Sequence, residues 1–303
     1  MPADRRFLIT GAGGRIGARL AERFVSRHPG TLVMGRSASP QSLGWDFTEP
    51  EPTAAVRDAI RDATDLVHLA SIVDDTPPLG ERARKMVAVN LQGTIHLLAH
   101  LPKLSHVTFV SSVAVYGPPH VLPCTEEHPT RPTQLYGVLK LATENLLRLH
   151  ARRTDMTVSV LRVSSVWGFP DQTLSRGGAI STFLRAFCER KPVRLVRTAR
   201  LLRDYVHVND VVGAIGTSAE RRASGVFNIA SGEGHSLVDV ATTAAQVAGC
   251  APEFEWDESL EPASDFVTDI TYDIRRATEA LDYRPAISLI EGLRVLRDQY
   301  ATP

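Results

Sequence analysis

The sequence predicts an α/β fold, a doubly wound parallel sheet with a smaller C-terminal lobe. Three observations carry this. Short apolar runs without polar alternation recur through the first half, as expected of strands buried on both faces. Segments of helical period separate them. A glycine-rich turn follows the first run at once and opens a helix.

The elements follow in order. "FLIT" (7–10) is the first strand, and a helical pattern spans Arg15 to Arg27. "TLVMG" (31–35), "DLVHLA" (65–70), "HVTFVSS" (106–112) and "VSVLRVSS" (158–165) are four more strands. Helix-period segments lie at 52–62, 80–101 and 133–153. Beyond residue 165 the rhythm loosens, with loops rich in Arg, Gly and Pro. Helices are expected near 178–190, 208–222, 236–248 and 288–300. Residues 1–165 therefore read as one domain and 166–303 mainly as a second lobe. Part of 205–232, around "VFNIAS" (226–231), is expected to return to the first sheet.

Bulk composition narrows the classes. The chain has 303 residues, 43% hydrophobic, with 34 Lys plus Arg against 34 Asp plus Glu. A zero net charge supplies no global attraction to nucleic acid or an anionic membrane. No apolar run approaches the ~20 residues needed to cross a bilayer, and "RRFLIT" carries no signal-peptide core. Cys124, Cys188 and Cys250 are odd in number, far apart and without metal-ligand spacing. They read as reduced thiols of a cytoplasmic protein.

In "TGAGGRIG" the glycines at 11, 14 and 17 have separate uses. Gly11 permits the tight turn, Gly14 lets backbone approach a phosphate, and Gly17 lets helix pack on strand. The helix N-terminus offers open N–H groups and partial positive charge to a pyrophosphate. A strand before and a helix after make this a dinucleotide site, so residues 1–165 read as a Rossmann domain. The second strand ends in Gly35 and Arg36, where an NAD-preferring chain carries an acid for the ribose hydroxyls. An arginine there suits the 2′-phosphate of NADP. The alternative is an exposed arginine in an ordinary turn.

"LYGVLK" (135–140) sets Tyr136 and Lys140 one helical turn apart on one face. Taken alone, the pair is either an incidental tyrosine on a solvated face or a phenol set beside a cation for chemistry.

These segments, with "DFT" (46–48), "VNLQGT" (89–94), "SSVAVYG" (111–117), "LRVSSVWG" (161–168) and "RDYVHVNDVV" (203–212), resemble an extended short-chain dehydrogenase/reductase of the nucleotide-sugar-modifying type. "VFNIASGEGHSL" (226–237) and "DIRRATEALDYRPAISLIEGL" (273–293) extend the resemblance over nearly the whole chain. It implies that Tyr136 passes a proton to and from a substrate oxygen while the nicotinamide gives or takes a hydride. A free phenol, with a pKa near ~10, needs a nearby cation to serve at neutral pH. Lys140 is expected to lower it and also to hold the cofactor ribose. Ser112 would hold the same oxygen, with Ser111 a weaker candidate. Arg15, Ile16, Phe47, Leu69, Ala70 and Ser71 are implied to line the cofactor. Asp46 is implied to reach the adenine edge, or else it caps a turn. Ser165 and Arg203 are implied substrate contacts, Arg203 on phosphate. Arg194, Arg197 and Arg200 either join it or are solvated. His68 and His207 read as structural, and Asn90 as a supporting residue. The C-terminal lobe would bind the substrate.

The family's dehydratases carry an Asp-Glu pair after the serine, and its decarboxylases a glutamate. Here Val113 and Ala114 stand instead. Hydride transfer without elimination remains. With Arg36, the expectation is an NADPH-dependent keto-sugar reductase. The alternative is a nucleotide-sugar epimerase holding NAD, and a remote one a non-catalytic nucleotide sensor. A homodimer is expected through helices 80–101 and 133–153, on Met86, Val89, Leu97, Leu139, Leu146 and Leu147.

Overall fold

The computed structural model describes residues 5–73, 80–169, 178–257, 259 and 268–301. The chain runs β1 (Phe7–Thr10), α1 (Arg15–Arg27), β2 (Leu32–Gly35), β3 (Leu43–Gly44), α2 (Ala54–Ile60) and β4 (Asp65–His68). Next come α3 (Glu81–Val87), α4 (Gly93–Ala99), β5 (His106–Ser112), α5 (Leu135–Ala151) and β6 (Thr157–Val163). Then follow β7 (Ser165–Trp167), α6 (Gly178–Cys188), β8 (Val193–Val196), β9 (Arg203–His207), α7 (Val208–Arg221) and β10 (Gly225–Ile229). The chain closes with β11 (Gly234–His235), α8 (Leu237–Ala248), β12 (Phe254–Asp257), α9 (Arg275–Leu281) and α10 (Leu289–Ala301).

Seven parallel strands form the main sheet in the order β10-β6-β5-β4-β1-β2-β3. Successive strand residues point to opposite faces, so each face has its own core. Phe7 and Ile9 pack with Leu20 and Phe24 of α1 and Val211 and Ile215 of α7. Leu8, Leu66 and Val107 pack on the other face with Leu97 of α4 and Leu147 of α5. Each fully buried side chain of this kind contributes roughly 1.5–3 kcal/mol, which explains why β1 and β4 carry no exposed position.

The expected strands and helices are present, and β10 pairs in parallel with β6. Three details differ. Residues 158–165 are not one strand: β6 ends at Val163, Ser164 N donates to Ile229 O, and β7 joins a separate sheet with β9 and β11. Residues 80–101 hold α3 and α4 joined by one wide turn at 88–92, which carries Asn90. The strands β3, β8 and β12 and helix α9 were not expected as separate elements.

The apolar residues expected at a dimer interface are mostly core. Met86, Leu97, Leu139 and Leu147 are buried within the chain, and Val89 and Leu146 half-buried. Packing on the sheet accounts for Leu97 and Leu147, with Val89 at its margin. On the same helices Ile95, Val138 and Leu149 are the exposed apolar residues, at 47%, 45% and 44%. The three cysteines are free thiols. Among the described residues no helix is long and apolar enough to cross a membrane.

Candidate active site

From β1 the chain proceeds to β2 and β3 on one side, then returns to β4 on the other. Such a reversal opens a cleft at the C-terminal ends of the two strands. The glycine turn sits there. Gly11 has φ +74°, and a Cβ on it would lie 2.6 Å from Ala70 N. A Cβ on Gly17 would lie 2.2 Å from Gly11 O, so only glycine lets α1 start this close to the turn. Gly14 precedes α1 in extended conformation, exposed, with no side-chain cap on the helix and no acid in its first turn. The leading N–H groups of α1 are thus open to an anion. Arg15 is exposed, its guanidinium 4.3 Å from the Phe169 ring centroid, and Ile16 packs on the core.

Leu69, Ala70 and Ser71 form the opposite lip. Leu69 N donates to Thr10 O at 3.3 Å and Ala70 N to Thr10 Oγ1 at 3.4 Å. Ser71 Oγ is buried without a partner among the described residues. The Asn90 amide brackets Ile72, accepting from its N–H at 2.7 Å and donating to its carbonyl at 2.9 Å. The orphaned hydroxyl, the tight turn and the open helix end fit a dinucleotide. His68 lies beneath, between Thr10 Oγ1 and Thr94 Oγ1, and burial pushes it down to about 3, so it is a neutral core group.

Two expected cofactor-contact residues have partners within the chain. Asp46 Oδ1 accepts from Thr48 N at 3.0 Å and Thr48 Oγ1 at 2.9 Å, so the carboxylate caps a turn. Those bonds, led by the Thr48 backbone and helped a little by Arg36, hold its pKa low. The Phe47 ring is buried against Trp45 and so belongs to the core. Arg36 is exposed just beyond β2.

Tyr136 and Lys140 lie one turn apart on α5, facing the end of β5. Lys140 Nζ donates to Val110 O at 2.8 Å and lies 4.8 Å from the Phe109 ring centroid and 5.6 Å from that of Tyr136. Burial pushes its pKa down to about 7, with Glu144 pulling it back up. Burial pushes the Tyr136 phenol up to about 12, opposed by a hydrogen bond with Ser112. The sequence led us to expect a phenol lowered by Lys140. It is raised because burial strips water from the phenolate, while the ammonium is turned toward the Val110 carbonyl. Ser112 Oγ also accepts from Ala114 N at 3.2 Å, capping the turn 113–115. Ser111 Oγ is aimed elsewhere, donating to the buried Glu144 Oε1 at 2.6 Å.

Ser112, Val113, Ala114, Ser165, Arg203 and Tyr272 line a cavity of about 290 Å³. Arg203 Nη1 donates to Leu202 O and Thr268 O at 2.7 and 2.6 Å, and burial lowers its pKa. Sequence reasoning missed Tyr272, whose phenol burial raises, and Ser164, whose buried Oγ has no partner among the described residues. Tyr272 carried no motif signal, and Ser164, inside "LRVSSVWG", was passed over beside Ser165. Asp204, also at this cavity, accepts from Ser231 N, Ser231 Oγ and Gly232 N, which makes it a loop clamp. Arg194, Arg197 and Arg200 do not line the cavity. Arg194 pairs with Asp257, Arg200 stacks 4.4 Å from the Trp256 ring centroid, and Arg197 is exposed. His207 caps α7 by accepting from Asn209 N at 3.2 Å, the structural role expected of it.

Residues 7–230 match the NAD dependent epimerase/dehydratase family. The chain is similar to the putative UDP-glucose 4-epimerase of Methanocaldococcus jannaschii, with 26% identity over 297 residues and 95% of each chain covered. It is 27% identical over 350 residues to the dTDP-L-rhamnose 4-epimerase of Burkholderia thailandensis, covering 97% of this chain and 94% of that one. The solved structure of MoeE5 in complex with UDP-glucose and NAD matches with a TM-score of 0.82 and 27% identity over 98% of both chains.

Proposed function

The chain belongs to the NAD dependent epimerase/dehydratase family of enzymes, and from that premise we propose that it is a nucleotide-sugar epimerase that retains NAD. One observation carries the reading. Tyr136 is hydrogen-bonded to Ser112, and Ser112 lines a cavity whose wall beside it is Val113 and Ala114. With no acid or base on that wall, hydride exchange at one carbinol carbon is favoured over elimination. The similarity to two 4-epimerases, and to a protein held with UDP-glucose and NAD, supports the epimerase reading.

The glycine turn, the α1 N-terminus and the lip at Leu69–Ser71 would hold the cofactor, with Lys140 at its ribose. NAD, when bound, supplies a hydride acceptor that can return what it takes. Tyr136 Oη, as a phenolate beside Lys140, would take the proton from a sugar hydroxyl and, as the phenol so formed, give it back, with Ser112 Oγ donating to the same sugar oxygen. Arg203 would face the diphosphate, because a guanidinium pairs with phosphate oxygens. Ser165 would add a hydroxyl there. The reading takes residues 166–303, apart from α7 and β10, as the substrate lobe. It includes a homodimer through α4 and α5 and a cytoplasmic location, with no part for nucleic acid or membrane.

Gly35 and Arg36 favour a second reading, an NADPH-dependent keto-sugar reductase, since no carboxylate ends β2. One experiment separates the two. The purified protein is denatured and the released nucleotide identified. Stoichiometric NAD is the expected result. NADP, or an empty site with NADPH binding at least about tenfold tighter than NADH, would make the chain a reductase.

A further inference from the structure

Three rungs join α5 to the end of β5. Tyr136 is hydrogen-bonded to Ser112, which lines the cavity. One helical turn on, Lys140 Nζ donates to Val110 O at 2.8 Å. A further turn on, Ser111 Oγ donates to Glu144 Oε1 at 2.6 Å. Glu144 is fully buried and outside the cavity wall. Arg162 donates to it through Nε at 3.1 Å and Nη2 at 2.8 Å, and Arg148 through Nη2 at 3.1 Å. Four donors fill the carboxylate, so its position is fixed from β5, β6 and its own helix.

We propose that Glu144 is a positioning residue for the Tyr136–Lys140 pair, tying the end of β5 to α5 and keeping Lys140 an ammonium beside Tyr136. A desolvated ammonium is unfavourable without a nearby anion. The charged and titratable groups around Lys140 are few. Tyr136 and Glu144 share its helix, and His68 faces it from β4 as a neutral imidazole. From β6, Arg162 reaches the far side of Glu144. Burial drives Lys140 toward its neutral form and Glu144 opposes that. Glu144, one helical turn along α5 and held by four donors, is the anion that opposes burial. The inference rests on the reading that Tyr136 and Lys140 act together, but its test does not need turnover.

The chain contains four lysines, Lys85, Lys103, Lys140 and Lys191. With carbon-13-labelled lysine, NMR resolves few Cε signals, and Lys140→Arg identifies the one of interest. In wild type it should titrate far below the other three. In Glu144→Gln its midpoint should fall by about one pH unit or more, and the alkaline limb of turnover should move down with it. If Arg162, left without its anion, prevents this variant from folding, the double variant Glu144→Gln/Arg162→Gln removes both charges. A smaller downward shift is expected there, because losing the Arg162 cation partly offsets losing the anion. An unchanged Lys140 midpoint in either folded variant overturns the proposal. Wild-type turnover in Tyr136→Phe would overturn the catalytic reading instead, and would leave the titration result intact.

Discussion

Tyr136 is largely buried and hydrogen-bonds Ser112, so deleting the hydroxyl alone separates packing from proton transfer. We expect Tyr136→Phe to lower turnover about 10²–10⁴-fold and to leave cofactor affinity within a few-fold. Steady-state rates beside a fluorescence titration would show it, and near-normal rates would remove Tyr136 from the chemistry. Lys140 carries a stability consequence with a definite sign. Its folded pKa is about 7 against 10.5 for the free side chain. Between those values the unfolded chain binds a proton that the folded chain releases, so stability rises with pH. The penalty is greatest below pH 7 and disappears near 10.5. Lys140→Met should therefore raise the melting midpoint at pH 6 to 7, gain little at pH 10, and abolish turnover. A lower midpoint at pH 6 would mean that the bond to Val110 outweighs the burial.

Helices α4 and α5 show how far periodicity reaches. Their apolar stripes are clear in the sequence, but which apolar residues face the sheet and which face outward depends on helix rotation. That rotation is set by contacts such as Leu97 and Leu147 with β4 and β5. Ile95, Val138 and Leu149 remain outside. If they form the dimer seam, Ile95→Glu with Leu149→Glu should give a monomer that melts close to wild type. Light scattering at micromolar concentration decides it: a monomeric wild type would discard the dimer. The glycine turn was legible because strand, turn and helix lie in one continuous stretch, and local chemistry fixes each glycine. Short strands such as β8 and β12 were not, because Arg194 finds Asp257 only when two distant segments pair.

The molecule as a whole buries three imidazoles outside the proton-transfer pair. Burial pushes His68 down to about 3, and His106 and His207 to about 4. Each is neutral in the fold and binds a proton in the unfolded chain below about 6.5. By linkage, stability is full above that value and falls as pH drops toward 4. The melting midpoint should decline from pH 7 to pH 4.5, above the range in which most carboxylates titrate. His106→Gln, which offers an amide to Thr108 and Thr157, should flatten the decline. A midpoint constant over that interval would show that these rings ionise normally in the fold.

Sequence alone determined the strand–turn–helix start, the alternation that makes the parallel sheet, the Tyr136–Lys140 spacing and the missing acid at Val113 and Ala114. Each is a local pattern, written in neighbouring residues and enforced by backbone geometry or helical period. Tertiary structure decided what neighbours in sequence cannot. It assigned Asp46 to its turn, turned Ser111 away from Ser112 and toward Glu144, placed Tyr272 at the cavity, and kept Arg194 and Arg200 off it. It also set the charges, since burial rather than spacing raises Tyr136 and lowers Lys140. Desolvation depends on everything packed around a group, and that environment is assembled from β4, β5, β6 and α5 only when the chain folds.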